Sequence, residues 1–277
     1  MRCRHDTAAM TRRLRLDAEL VRRSLARSRD HAAELIAAGR VSVAGVVATK
    51  PATVVTTDAA LVVREDPDAP DFVSRGGHKL AGALAAFTPL GLEVGGRHAL
   101  DAGASTGGFT DVLLRAGVAE VVAVDVGYGQ LAWSLQSDDR VTVLDRTNLK
   151  DLIETSLPYA PDLVVGDVSF ISLTKVLPAL RNVSHPDADF VLMVKPQFEV
   201  GRDRLGKGGV VREPELRVET VLDVARAADE LGLGVVSVCA SPLPGPSGNV
   251  EYFVWFRRGA DPVDEDTVWT VVAEGPR

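Results

Sequence analysis

Four residues able to move protons or hold charge stand where apolar runs begin or end. In "FVLMVKPQFEV" (190–200) five apolar residues lead into Lys195, and Pro196 follows at once. The run reads as a buried strand that the proline stops. It therefore delivers an ammonium group to a place where charge is costly unless paired. "LVVGDVSF" sets Asp167 after another apolar run, "SGNVEYFVWF" sets Glu251 at the start of one, and "SRGGHKL" sets Lys79 near the top of a helix. Two ammonium and two carboxylate groups gathered at one crevice would suit proton transfer and the placing of charge. A structural salt-bridge network would use the same residue types.

A binding site for a nucleoside is written beside them. "LDAGASTGGFTD" (100–111) reads as a strand, a Gly-rich turn and a helix start. Gly103, Gly107 and Gly108 let a ligand approach the backbone, with Ser105, Thr106 and Phe109 in the same turn. The spacing is not G-x-G-x-x-G, so a dinucleotide fingerprint matches poorly, and with it a nicotinamide dehydrogenase. "VVAVDVG" ends the next strand on Asp125, placed to take hydrogen bonds from ribose hydroxyls. A tight turn and a surface aspartate are the alternative. "VTVLDRTN" offers Asp145, Arg146, Thr147 and Asn148 to edge an adenine, or equally to make an ordinary loop. Tyr128 and Trp133 in "VGYGQLAW" are expected in the core rather than stacked on a ligand.

The elements that must position these groups alternate. Short apolar strands at "HALDAG", "EVVAVDVG", "VTVLDR", "PDLVVGDVSF", "DFVLMVKPQF", "GVVSVCAS" and "EYFVWF" are mostly separated by helical patterns, such as 110–116 and 216–231. Such alternation predicts an α/β fold with a mostly parallel sheet covered on both faces. Ligands then bind at the carboxyl ends of the strands. Ahead of this lies a different pattern. Residues 1–10 read as a flexible extension. Two helices follow, the second capped by Ser28 with Ala32, Leu35 and Ile36 on its apolar face and Gly39 at its end. "VSVAG" and "LVVRE" read as short strands, and the acidic, proline-bearing "REDPDAPD" (64–71) as a linker.

The chain of 277 residues suits one large domain and a small one, with ordinary globular composition at 46% hydrophobic and 25% charged. No apolar stretch reaches the roughly 18 residues of a membrane span, and the N-terminus lacks a secretory h-region. Cys3 and Cys239 cannot make a disulfide framework or a Cys-rich zinc site. A cytoplasmic setting is expected, with no membrane partner and no bound metal. The net charge of −7 is uneven: residues 1–50 carry +6 and the remainder −13. A basic head on an acidic protein points to a polyanion or to a solvated helix surface. Arg15, Arg22, Arg23, Arg27, Arg29, Lys50 and Arg75 are the candidates for phosphate contacts.

Residues 75–253 resemble the FtsJ-type ribose 2′-O-methyltransferases, a Rossmann-like branch of the S-adenosylmethionine enzymes. The whole chain resembles the TlyA family of bacterial ribosomal RNA methyltransferases, once labelled haemolysins. The strings that carry this are "DAELVRRSLARSR", "SRGGHKL", "LDAGASTGGFT", "DVGYGQLAWSL", "SFISL", "VKPQFEVG" and "ASPLPGPSGNVEYF". The resemblance implies a seven-stranded methyltransferase domain over 75–260 and an S-four-type RNA-binding domain of αL fold over 11–63. The linker would span 64–74 and a C-terminal tail 261–277. It implies S-adenosylmethionine as cofactor, ribosomal RNA or ribosomal subunits as partner, and no obligate protein partner. A lysine–aspartate–lysine–glutamate tetrad would fall on Lys79, Asp167, Lys195 and Glu251, with Asp167 also beside the cofactor. Lys195 would face the target hydroxyl, either neutral as a base or charged, steering the oxygen lone pair. Asp167 would orient it and Glu251 would balance Lys79. One departure stands out: family members from some bacteria carry an Arg-x-Trp-Val linker motif, where this chain reads "PDFV" (70–73). "DVSF" also lacks the prolines of the motif that amino-group methyltransferases place at this strand end. The remaining alternatives are a non-catalytic ribosome assembly factor and a membrane-active haemolysin.

Overall fold

The computed structural model describes residues 13–23, 25–26, 28–64, 71–206, 208–245 and 247–275. The expected extension (1–10), Arg27 and most of the linker lie outside these residues. The chain divides into two compact units, 1–71 and 72–277.

The first unit runs β1 (Arg13–Arg15), α1 (Leu16–Arg22), α2 (Arg29–Ala37), β2 (Val41–Val43), β3 (Val46–Val47), β4 (Val54–Thr56) and β5 (Leu61–Val63). Ser28 caps α2 by accepting a hydrogen bond from the His31 amide at 3.1 Å. Gly39 lies one residue past the Ala38 cap with φ +68°, the left-handed turn that ends many helices. Strands β1 and β4 pair antiparallel, and β3-β2-β5 form a second small sheet. Leu16, Leu20, Leu35, Ile36, Val41 and Val55 make the core.

The second unit runs α3 (Gly76–Phe87), β6 (His98–Ala102), α4 (Gly108–Arg115), β7 (Glu120–Val124), α5 (Trp133–Gln136), β8 (Val141–Leu144) and β9 (Leu163–Gly166). It continues through α6 (Leu177–Val183), β10 (Asp189–Val194), α7 (Pro196–Glu199), α8 (Pro214–Asp229), β11 (Leu233–Ala240), β12 (Tyr252–Arg258) and α9 (Glu265–Glu274). The seven strands lie in the order β11-β12-β10-β9-β6-β7-β8. Strand β12 runs antiparallel to both its neighbours, while β10-β9-β6-β7-β8 are parallel. Alternate residues of β10 enter opposite cores. Phe190, Leu192 and Val194 meet α6 and α8, while Val191 and Met193 lie with Leu80, Ala83 and Leu113 of α3 and α4. This two-sided burial explains why the sequence there is uniformly apolar.

Two sequence boundaries move. The expected tail (261–277) contains α9, capped by Asp264, whose Val268 and Val272 are buried one helical turn apart in the main core. Phe72, assigned to the linker, belongs to the second unit. It is buried, lies edge-on to His78 at 5.1 Å, and has the Arg115 guanidinium 5.1 Å from its ring centre. Among the described residues, no helix is long and apolar enough to cross a membrane.

Candidate active site

Strand order reverses between β6 and β9, so the crevice at their carboxyl ends is where this kind of sheet receives ligands. Gly103 follows β6 with φ +88°, and a Cβ there would stand 3.2 Å from the Asp167 carbonyl oxygen. Only glycine brings the turn this close to the chain leaving β9. The starts of α3 and α4 also meet backbone to backbone: a Cβ on Gly108 would fall 2.7 Å from the Gly77 amide nitrogen. That contact seats the first turn of α3, and with it Lys79, against the glycine turn.

Lys79, Lys195 and Asp167 line one cavity of about 300 Å³ together with Gly103, Ser105, Gly108 and Phe109. Glu251 is buried, and its Oε2 accepts from Lys79 Nζ at 2.5 Å while its Oε1 accepts from Gln197 Nε2 at 3.2 Å. Glu251 reaches this rim because β12 is antiparallel: the start of β12 lies opposite the end of β10, with Tyr252 paired to Val194. Lys195 Nζ forms an ion pair with Asp167 Oδ1, but that oxygen has no aligned hydrogen-bond donor among the described residues. The aligned bond from Lys195 Nζ goes to Ser169 Oγ at 2.7 Å. Both ammonium groups are nearly buried, at 6% and 7% exposure, and both are paired.

A second cavity of about 330 Å³ shares Gly103, Ser105, Asp167 and Ser169 with the first, and Asp125 and Asn148 stand on its wall with Leu149, Ile171 and Val176. Asp125 accepts from the amides of Ser105 (2.8 Å) and Gly127 (2.6 Å), bracing the turn. Asn148 accepts from the Lys150 amide at 3.1 Å. Asp145 accepts from the Gly129 amide at 2.8 Å, and Arg146 covers the Tyr128 ring at 4.2 Å; neither lines either cavity. Thr106 and Gly107 lie outside both walls too. Phe109 touches the first cavity but is 3% exposed, packed on Phe253 at 5.9 Å. The expectation that Tyr128 and Trp133 are core residues is corrected: they are 70% and 78% exposed. The stretch between β7 and β8 holds only the four-residue α5, too short to cover two large rings.

Sequence reasoning passed over three neighbours of these groups. Phe170 is 91% exposed at the mouth with φ +64°, a strained backbone for a bulky residue, and its ring lies 5.2 Å from Phe198. Glu199 accepts from Ser172 Oγ (2.5 Å) and the Leu173 amide (2.9 Å), tying the chain after β9 to α7; burial raises its carboxyl above the usual range. Asp101 is fully buried beneath the glycine turn, and burial pushes its carboxyl up to about 7. Its Oδ2 accepts from the Thr110 hydroxyl at 2.7 Å. In "DVSF" the serine and the phenylalanine are the local signal for these contacts.

In the first unit four of the basic candidates are tethered. Arg15 and Arg29 bond Asp17, and Arg22 and Arg23 bond Glu19. Arg23 also donates to the carbonyls of Ala59 and Thr57. The guanidinium groups hold the Asp17 carboxyl well below the usual range and that of Glu19 down to about 2. Pairing leaves the side chains of Arg15, Arg22 and Arg29 about half exposed, at 49%, 51% and 59%. Lys50 is exposed. In the second unit Arg75 lines the first cavity and donates to the Pro244 carbonyl at 3.2 Å.

The family model described as FtsJ-like methyltransferase matches residues 72–258, and that of the S4 domain matches residues 14–61. The chain is 58% identical over 272 residues to the 16S/23S rRNA (cytidine-2′-O)-methyltransferase TlyA of Mycobacterium tuberculosis, covering 96% of this chain and 100% of that one. It is 37% identical to Hemolysin A of Brachyspira hyodysenteriae, over 88% and 99% of the two chains. A solved structure from Streptococcus thermophilus that carries the hemolysin name is 35% identical, with a TM-score of 0.73 over 96% of each chain.

Proposed function

Since this chain belongs to the FtsJ-like methyltransferase family, we propose that it methylates the 2′-hydroxyl of cytidine in ribosomal RNA of both subunits, using S-adenosylmethionine. The observation that best supports this reading is the meeting of Lys79, Asp167 and Lys195 on one cavity wall. Glu251 is bonded to Lys79, and the glycine turn forms the adjoining wall. The cradle suits the cofactor. Gly103 lets the turn lie against the backbone of Asp167 and Val168, which a Cβ there would press on, Asp125 and Asn148 stand where a ribose and a base edge would be held, and Leu149, Ile171 and Val176 form an apolar wall for a purine. When bound, S-adenosylmethionine supplies an electrophilic methyl group on a sulfonium.

The chain's own residues do the rest. Lys195 meets the 2′-oxygen, taking its proton when neutral or steadying the developing alkoxide when charged. Asp167 holds Lys195 at the cavity wall and offsets its charge. Lys79 adds a second positive group, with Glu251 and Gln197 fixing it from below. Near-burial of these charges strengthens each interaction relative to water. Phe170 offers an exposed ring at the mouth on which a base can stack. The half-exposed arginines of the S4 domain supply phosphate contacts, which position RNA without reading its sequence.

The test is a methylation assay on isolated 30S and 50S particles with labelled S-adenosylmethionine, followed by nucleoside identification. 2′-O-Methylcytidine from both particles is expected. A base-methylated product, or no transfer to either particle, would refute the reading.

A further inference from the structure

We propose that Ser169 is a positioning residue for Lys195: its hydroxyl sets the rotation of the lysine nitrogen, so that the third direction on that nitrogen is presented to the 2′-hydroxyl. The inference rests on the reading of Lys195 given above.

A lysine nitrogen is tetrahedral, with one direction taken by its own carbon and three left over. Rotation about the last carbon–nitrogen bond is nearly free unless a directional partner stops it. The ion pair with Asp167 does not: the contact is close, yet Asp167 Oδ1 receives no aligned donor among the described residues. Charge attraction depends on separation and is nearly blind to that rotation. The bond to Ser169 Oγ, at 2.7 Å, satisfies the angular requirement as well as the distance. With one N–H fixed on Ser169, the other two directions are fixed as well: one lies on the side of Asp167 without an aligned bond, and the third is left for the cavity that all three residues line. In a charged lysine it holds an N–H that points at an oxygen lone pair. In a neutral lysine it holds the lone pair that receives the proton. Both forms of the chemistry need the same orientation.

The serine is itself fixed. The chain beyond it turns through the left-handed backbone of Phe170, and Glu199 binds the next turn at Ser172 and Leu173. Ser169 thus approaches from the chain after β9, while Lys195 arrives on β10. Lys79 needs no such device, because Glu251 accepts a hydrogen bond from its ammonium group at 2.5 Å.

The full-length protein is assayed with ribosomal subunits, measuring kcat, KM for each substrate and, by calorimetry, affinity for S-adenosylmethionine. In Ser169→Ala a roughly tenfold to hundredfold fall in kcat is expected, the size of effect that misplacing a reacting group produces. Both KM values and cofactor affinity should stay within about twofold, and Ser169→Thr, which keeps the hydroxyl, should restore most of the rate. If the alanine variant does not bind cofactor, Ser169→Cys replaces it; sulfur is a weak acceptor of similar size, and the same kcat loss is expected. An unchanged kcat, a loss confined to KM, or a threonine variant as slow as alanine would overturn the proposal. Lys195→Ala runs alongside. If it stays active, the reading of Lys195 itself fails; if it is inactive while Ser169→Ala matches wild type, only the role of Ser169 fails.

Discussion

Replacing Glu251 by leucine should destabilise the second unit through its partner rather than through the site lost. Glu251 is 1% exposed and Lys79 6%, so leucine leaves an ammonium group enclosed with no counter-charge. Breaking a buried pair in this way costs about 3–5 kcal/mol. For a unit of this size each kcal/mol lowers the melting temperature by about 2–4 °C, so a drop on the order of 6–20 °C is expected. Adding Lys79→Met removes the stranded charge and should recover most of that loss. The residual cost is that of Gln197, whose Nε2 loses its acceptor, about 1–3 kcal/mol. Methyl transfer should be lost in both variants, since the double variant regains stability without regaining the charges. Urea and thermal denaturation, read on the transition of the larger unit, give the energies; labelled methyl transfer gives the activity. A single variant costing under about 1 kcal/mol, or a double variant less stable than the single, would show that Lys79 does not depend on Glu251 for its charge.

Three further outcomes are expected. Lys195→Ala should cut methyl transfer by about 10²–10⁴-fold, the usual worth of a positioned acid or base, while calorimetry shows cofactor binding nearly intact; turnover at the wild-type rate would remove its assignment. Asp101 carries a carboxyl raised from 3.8 to about 7, so its folded form holds the proton after the unfolded chain has released it. Its contribution to stability is therefore full below about pH 4 and is lost as pH rises to about 7, at up to about 1.4 kcal/mol per pH unit. Asp101→Asn should flatten that slope in urea titrations, and an unaltered slope would contradict it. Phe170→Gly relieves a left-handed backbone, so stability should hold or rise. Its RNA affinity, measured by filter binding, should fall by about 1–3 kcal/mol with the stacking face gone; unchanged affinity would place Phe170 outside the RNA path.

Much of this molecule is legible in short windows. The Gly-rich turn at 103–108, the delivery of Lys195 by an all-apolar strand, and the Ser28 cap each depend on a few neighbouring residues obeying local rules. Periodicity and turn chemistry mark all seven strands of the large sheet: two-sided burial leaves the central ones uniformly apolar, and alternation with helices sets off the rest. The cluster of Arg15, Arg22, Arg23 and Arg29 was equally visible as charge. That Asp17 and Glu19 tether those arginines was not, since ion pairing depends on where side chains fold back.

What tertiary structure alone decided is which distant groups touch. Lys79 and Glu251 stand 172 residues apart and meet only because β12 inserts antiparallel between β10 and β11, bringing its first residues to the rim where the parallel strands end. No local pattern states a strand's direction relative to a neighbour that pairs with it across the sheet; that follows from long-range hydrogen bonding and from burying both faces. The same reason places α9 in the core, leaves Tyr128 and Trp133 in solvent, and lays Ser169 against Lys195. Residue types and their order determined what chemistry this chain can carry, and packing determined which of those residues are close enough to share it.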